Sequence, residues 1–155
     1  MIFSLDSNVL VDLMRRGRPQ VRRHMQEAAA AGAALKVSTV VAHELVLGAH
    51  KSGRVQDQLE LVGAVLAQME VEPWSWEDAL ATGRLRAELE VVGRGVGAYD
   101  TMIAGQALAR DWVVVTADVA GFARFKGLQI VDWSNPAGVI DVTGAMARLR
   151  RPSKD

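Results

Sequence analysis

The chain contains no cysteine. That excludes disulfides, thiol nucleophiles and thiolate zinc sites, and it fits a reducing compartment. Excess charge of either sign is also missing, since 18 Lys+Arg balance 18 Asp+Glu. A neutral chain has no global attraction to nucleic acid, so any such binding needs a local basic patch. No apolar run approaches the roughly 20 residues that span a bilayer. The opening residues reach an acid at Asp6, too early for a secretory leader, so a cytoplasmic protein without membrane association is expected. Histidine is scarce, and His24, His43 and His50 form no zinc pattern. The last two are able to share a helix face, but a third ligand is missing.

Half of the 155 residues are apolar. That length supports one well-cored domain and is too short for two. Residues 2–5 read as a first strand ending at Asp6, with Ser7 or Asn8 placed to cap the helix that follows. Gly17 and Pro19 break that helix, and Pro19 suits the first turn of the next. Residues 35–38 read as a second strand, Thr39 as a cap, and residues 40–49 as a helix carrying Glu44. A further helix is expected over 55–69 and a short strand over 71–73. Ser75-Trp76-Glu77-Asp78 has the form of a capping box. A glycine-rich loop at 93–97 leads into an apolar helix over 99–109, with Asp100 in its first turn. Residues 112–115 are apolar throughout, as in a strand buried on both faces. A strand over 128–131 closes the series. Alternating strands and helices predict an α/β fold, a mostly parallel sheet with helices on both faces. Residues 1–133 read as the domain. Residues 134–155 read as a partly packed extension with a basic end.

Four acids, Asp6, Glu44, Asp100 and Asp118, each lie where a strand or apolar run meets a helix. In an α/β chain these junctions gather at one end of the sheet, where ligands bind. One aspartate after a strand is more often a helix cap than a ligand. Four on the same side repel one another, and a divalent cation relieves that repulsion. A magnesium or manganese site is the expectation, serving phosphoryl transfer or phosphodiester cleavage.

Short motifs surround each acid. Leu5-Asp6-Ser7-Asn8-Val9-Leu10 resembles the first acidic motif of the PIN-domain ribonucleases, specifically the VapC-type toxins of bacterial toxin–antitoxin pairs. The stretch from Ser38 through Glu44 to Gly48 is similar to their second motif. Val96-Gly97-Ala98-Tyr99-Asp100-Thr101 resembles the third, the most specific of the set. Val115-Thr116-Ala117-Asp118, with Phe122, Gly127-Leu128 and Asp132-Trp133, resembles the fourth. The resemblance runs from about residue 2 to residue 133. It implies a magnesium- or manganese-dependent endoribonuclease toxin that cleaves phosphodiester bonds with metal-activated water. It also implies a homodimer or larger assembly, held inactive by a cognate antitoxin over the acidic pocket, with DNA contacted only through that antitoxin. By the family pattern Asp6 and Asp100 bind metal directly. Glu44 and Asp118 complete the pocket directly or through water, and Ser7 and Thr116 orient carboxylates or water from behind. Asp118 departs from the many relatives that carry asparagine there, and the added charge favours a second ion.

The cluster Arg15, Arg16, Arg18, Arg22 and Arg23 reads either as a solvated face or as a track for the RNA backbone. Arg148, Arg150, Arg151 and Lys154 either extend it or solubilise the tail. Asp12, Asp132 and Asp141 are not expected to touch metal. Trp74 and Trp76 suit packing or dimer contacts. The glycine run follows a helical segment, so it lacks the strand context of a dinucleotide loop. Two rival readings stand. A phosphatase of the haloacid-dehalogenase type needs a second aspartate where this chain has Asn8. A non-catalytic interaction module would keep the fold without needing four mutually repelling acids.

Overall fold

The valine run at residues 113–115 sits beside the centre of the molecule, and its neighbours explain its composition. In the computed structural model, which describes residues 1–93, 95 and 97–136, it forms β4 (Val113–Val115), buried at every position. Arg94, Val96, Asp141, Arg148, Arg150, Arg151, Lys154 and most of the proposed extension lie outside the described residues. β4 pairs in parallel with β1 (Ile2–Leu5) on one side and β5 (Gln129–Val131) on the other. β1 pairs in turn with β2 (Ala34–Ser38), and β2 with β3 (Glu70–Glu72). The order is β3-β2-β1-β4-β5, every pair parallel. Successive side chains of a strand point to opposite faces, so a strand without an exposed position must be covered on both.

The chain moves outward from β1 through β2 to β3, then returns to lay β4 on the other flank of β1. The strand order therefore reverses between β1 and β4. The carboxyl ends of these two strands bound the crevice where open α/β sheets bind ligands.

The crossovers are helical: α1 (Ser7–Met14) and α2 (Pro19–Ala30), α3 (Thr39–Lys51) and α4 (Val55–Leu66), α5 (Trp76–Val91) and α6 (Ala98–Arg110). α7 (Val119–Phe122) is a single turn before β5. Leu5, Leu10, Val37, Val41, Ala104, Ala107, Val114 and Val115 are fully buried where these helices meet the sheet. α5 and α6 pack closely at Gly105, where any side chain would overlap Thr82. The expected capping box at Ser75 is present, with Ser75 N donating to Asp78 Oδ2 at 2.7 Å and Asp78 N to Ser75 Oγ at 3.3 Å.

Three local expectations change. Asp6 itself caps α1, its Oδ1 accepting from Ser7 N at 2.8 Å, so neither Ser7 nor Asn8 takes that position. Ser38, not Thr39, caps α3, because Ser38 Oγ reaches Val40 N at 3.1 Å. Thr39 Oγ1 instead accepts from Trp74 N at 3.2 Å. β3 spans Glu70–Glu72 and stops short of Pro73, in register with Lys36 to Ser38. A proline lacks the N–H that would extend the ladder.

Candidate metal centre at the sheet switch point

Asp6 follows β1 directly and is 4% exposed. Its carboxylate is held on both sides. Oδ2 accepts from Thr116 Oγ1 at 2.9 Å and from Asn8 Nδ2 at 3.0 Å. Thr116, just past β4, is fully buried, and its hydroxyl also accepts from Asn8 Nδ2 at 3.2 Å and Asp118 N at 3.0 Å. Asn8 Oδ1 closes the set by accepting from Ala117 N at 3.1 Å. Sequence reasoning missed Asn8, treating it only as a cap. Its signal was the Asp6-Ser7-Asn8 spacing, which turns the amide back toward the aspartate within the first helical turn.

Asp118 caps α7 through Gly121 N at 3.0 Å and is exposed. Both readings of this residue thus meet: it is a cap, and it faces the other acids. Asp100 lies in the first turn of α6. α6 runs down into β4, so its N-terminus stands at the carboxyl end of the sheet, beside Asp118. Glu44 comes from the second turn of α3 and is half-buried.

The acids sense one another. Burial pushes the Asp6 carboxyl above the ordinary aspartate range, against the pull of Ser7 N and the Thr116 hydroxyl, and the charges of Asp100 and Asp118 push the same way. Burial also raises Glu44. The Ser7 hydroxyl opposes this, Asp6 and Asp100 add to it, and His43 opposes it. Asp100 is raised by burial and then by Asp118. Among the described residues no arginine or lysine pairs with any of the four. Among the described residues Glu44 Oε2, which is buried, has no hydrogen-bond partner. A buried carboxylate oxygen with nothing to accept from is costly in a finished fold.

The discounted residues lie elsewhere in function. Asp12 binds the backbone of Arg18 at 3.2 Å, and Asp132 binds Ser134 N at 2.8 Å. His24 contacts Glu27 and the Asn135 carbonyl, and His43 faces the Tyr99 ring at 5.4 Å. Trp74 packs against the core and donates to Met102 O at 3.2 Å, whereas Trp76 is 70% exposed.

Hard oxygen donors, mutual repulsion and an orphaned oxygen fit a divalent cation of the magnesium class. Among the described residues no three acids or histidines close into a ready-made shell. Magnesium does not need one, because it keeps several waters and takes one or two carboxylates.

A parallel sheet with its acids at this switch point defines a class, and sequence comparison agrees. The PIN domain profile matches residues 4–128, and the chain belongs to that family. Within it, the chain is 34% identical over 131 residues to the tRNA(fMet)-specific endonuclease VapC of Salmonella typhimurium, covering 84% of this chain and 97% of that protein. Two solved structures match with similar coverage. VapBC2 from Rickettsia felis, bound to a DNA fragment from its promoter, superposes with a TM-score of 0.81 at 26% identity, covering 86% of this chain and 99% of that one. DNA-bound VapBC from Salmonella typhimurium gives 0.80 at 33% identity, covering 86% and 98%.

Proposed function

We propose that this chain is the ribonuclease toxin of a VapBC-type pair, an RNA-cleaving hydrolase restrained by a cognate antitoxin. The observation that carries the reading is the uncompensated acid cluster. Asp6, Glu44 and Asp100 are all pushed above their ordinary ranges at the ligand-binding end of the sheet, with an oxygen of Glu44 left over. Likeness to VapC nucleases over most of the chain supplies the substrate class.

Asp6 and Asp100 are the residues that would hold magnesium or manganese directly, with Glu44 and Asp118 acting directly or through water. Such an ion would supply positive charge for the phosphate and make a water easier to deprotonate, so that it can attack. The chain's own groups do the rest. Thr116 and Asn8 fix the Asp6 carboxylate by Oδ2, and Oδ1, which among the described residues accepts only from Ser7 N, keeps a lone pair for an ion. The Ser7 hydroxyl favours the ionised form of Glu44. Asp118 is oriented by the amide of Gly121. Burial around Asp6 keeps bulk water away and strengthens each electrostatic contact.

An antitoxin covering this pocket and a homodimeric state belong to the same proposal. Trp76 and Leu80, exposed one turn apart on α5, are large apolar groups for a dimer contact to cover. Among the described residues no helix is long and apolar enough to cross a membrane, and the proposed location is the cytoplasm. The phosphatase reading finds no support, because Asn8 is committed to Asp6, Thr116 and Ala117.

Purified protein incubated with total bacterial RNA and magnesium or manganese should yield discrete fragments. The fragments should vanish with a chelator and in Asp100→Asn. Folded, antitoxin-free protein that leaves all RNA intact with both metals would sink the reading.

A further inference from the structure

The five arginines near the first helix form one cluster in the sequence and divide by what their side chains bind. Arg22 donates to the Leu13 carbonyl at 3.4 Å. Arg23 donates to the Pro136 carbonyl at 3.2 Å and lies 3.7 Å from Glu27. Both fasten α2. Arg15, Arg16 and Arg18 are exposed, and their side chains make no hydrogen bond or ion pair with another described residue.

The loop that carries these three is held firmly. Gly17 N donates to Asp12 O at 2.9 Å, and Arg18 N to the Asp12 carboxylate at 3.2 Å. A side chain at Gly17 would overlap Asp12 Oδ1. Arg16 occupies the left-handed region at φ 49°, a conformation costing a residue with a Cβ about 1 kcal/mol or more. A strained backbone, pinned by a carboxylate and displaying three unpaired guanidinium groups, is a presentation device rather than a slack connection.

Two hollows adjoin the loop, and a third, about 580 Å³, is lined by Arg15 together with Ser7 and Glu44. Of the two, one of about 380 Å³ runs from Asn8 and Ala117 to Arg15 and Arg18. The other, about 650 Å³, opens among Arg16, Arg18, Arg22, Arg23, Gln26 and Gln68. They share Asp12 and Arg18. Asn8 at the near end is the side chain that donates to Asp6.

We infer that the Asp12-pinned loop 15–18 is a binding station for the phosphates of the RNA strand flanking the cleaved bond, with Arg15, Arg16 and Arg18 as its contacts. This rests on the ribonuclease reading above. Four acids repel a phosphodiester, and a chain of zero net charge offers no general attraction to offset that. Free guanidinium groups supply it, with Arg15 lining one hollow together with Glu44, in the forked geometry that suits phosphate. The larger hollow has glutamine amides and no aromatic side chain. Guanidinium and amide donors without a stacking ring suit a phosphate backbone more than an unpaired base.

The test uses full-length Asp100→Asn, which binds without cutting, and end-labelled bulk bacterial transfer RNA, read by anisotropy over a range of salt. Adding Arg15→Gln, Arg16→Gln and Arg18→Gln should lower the slope of log affinity against log salt by roughly 2, about 0.7 for each lost phosphate. Binding near 50 mM salt should weaken on the order of a hundredfold. Arg84→Gln with Arg86→Gln on α5 should leave the slope unchanged. Thermal melting should not move in the triple variant, since its three side chains hold nothing. An unchanged slope in the triple variant overturns the inference. So does an equal loss in the α5 pair, a parent with no salt-dependent binding, or wild-type RNA binding combined with loss of an acidic protein partner. If Asp100-intact protein cleaves RNA while the triple variant keeps its slope, the ribonuclease reading survives and only the station falls.

Discussion

Two groups of buried carboxylates stand in this fold, and they have opposite electrostatics. Asp78 is fully buried between α5 and α6, yet its carboxyl stays below the ordinary range. Burial pushes it up, and the Arg110 guanidinium and the Ser75 amide more than reverse that. Arg110 grips it with Nε at 3.1 Å and a terminal nitrogen at 2.7 Å, and Gln106 adds a third donor at 3.2 Å. Glu72 is lowered by its hydrogen bond to Lys36, with Arg110 contributing. Both cations also lie over the Trp112 ring, at 5.8 Å and 5.0 Å. Among the described residues Asp6, Glu44 and Asp100 have no such cation, and all are raised. In the first group both carboxylates are neutralised within the chain, and the pairing fastens β3, α5 and α6 together. The second is unfinished and stores a demand for positive charge, the pattern expected where a ligand completes the site.

The difference can be broken from either side. The largest expected effect is on the rate. Asp100→Asn should reduce RNA cleavage on the order of a thousandfold, the scale on which losing one preorganised electrostatic contact acts. Residual cleavage near wild type would remove Asp100 from the site.

Next comes the paired group. Arg110→Met leaves Asp78 buried and uncompensated, and should destabilise the fold by about 3–5 kcal/mol in urea unfolding. A loss below about 1 kcal/mol would mean that Asp78 takes up a proton cheaply, and that the two groups differ less than their geometry indicates.

Metal should act on one group alone. Manganese at about a hundred times its dissociation constant should stabilise the wild type by about 2.7 kcal/mol, a gain absent in Asp6→Asn with Asp100→Asn. Asn8→Ala, which frees Asp6 Oδ2 from one donor, should weaken manganese binding by about 10- to 100-fold by calorimetry. An unaffected isotherm would reduce Asn8 to a helix-end contact.

The smallest effect is on pH, and its sign follows from the directions of the shifts. A carboxyl raised in the fold contributes stability that is fully present below its unfolded value and is lost as pH rises through the raised one. For the lowered Asp78 and Glu72, the contribution is present above the ordinary range and is lost as pH falls through the lowered values. Metal-free Asp100→Asn should therefore match the wild type near pH 4 and melt roughly 2 °C or more higher at pH 7. Asp100 suits this test because among the described residues its carboxylate has no hydrogen-bond donor to lose, unlike Asp6. A wild type that gains on the variant as pH rises would contradict the repulsion argument.

Much of this was legible before any coordinates. Apolar stretches bounded by glycine, proline and capping residues marked every strand within about one residue, because local backbone chemistry sets where a ladder or helix can begin. The capping box at Ser75 was visible for the same reason. The strand called at residues 71–73 was off by one, since its end depends on pairing with β2 and not on its own sequence. The four acids were nameable from their positions at junctions. Asn8 was not, because its role depends on Thr116 and Ala117, 108 and 109 residues away. The Asp78–Arg110 pair, 32 residues apart, was invisible for the same reason.

The sequence by itself determined the alternation of strand and helix, the absence of thiol chemistry, and a set of carboxylates at strand–helix junctions. Those properties follow from side-chain periodicity and residue type, which act within a few residues. Only the tertiary structure decided which acids would be paired and which left in want of charge, and which arginines would be spent on carbonyls and which left free. Pairing is a matter of which side chains meet, and the crossover that sets β4 against β1 brings together groups the chain keeps a hundred residues apart.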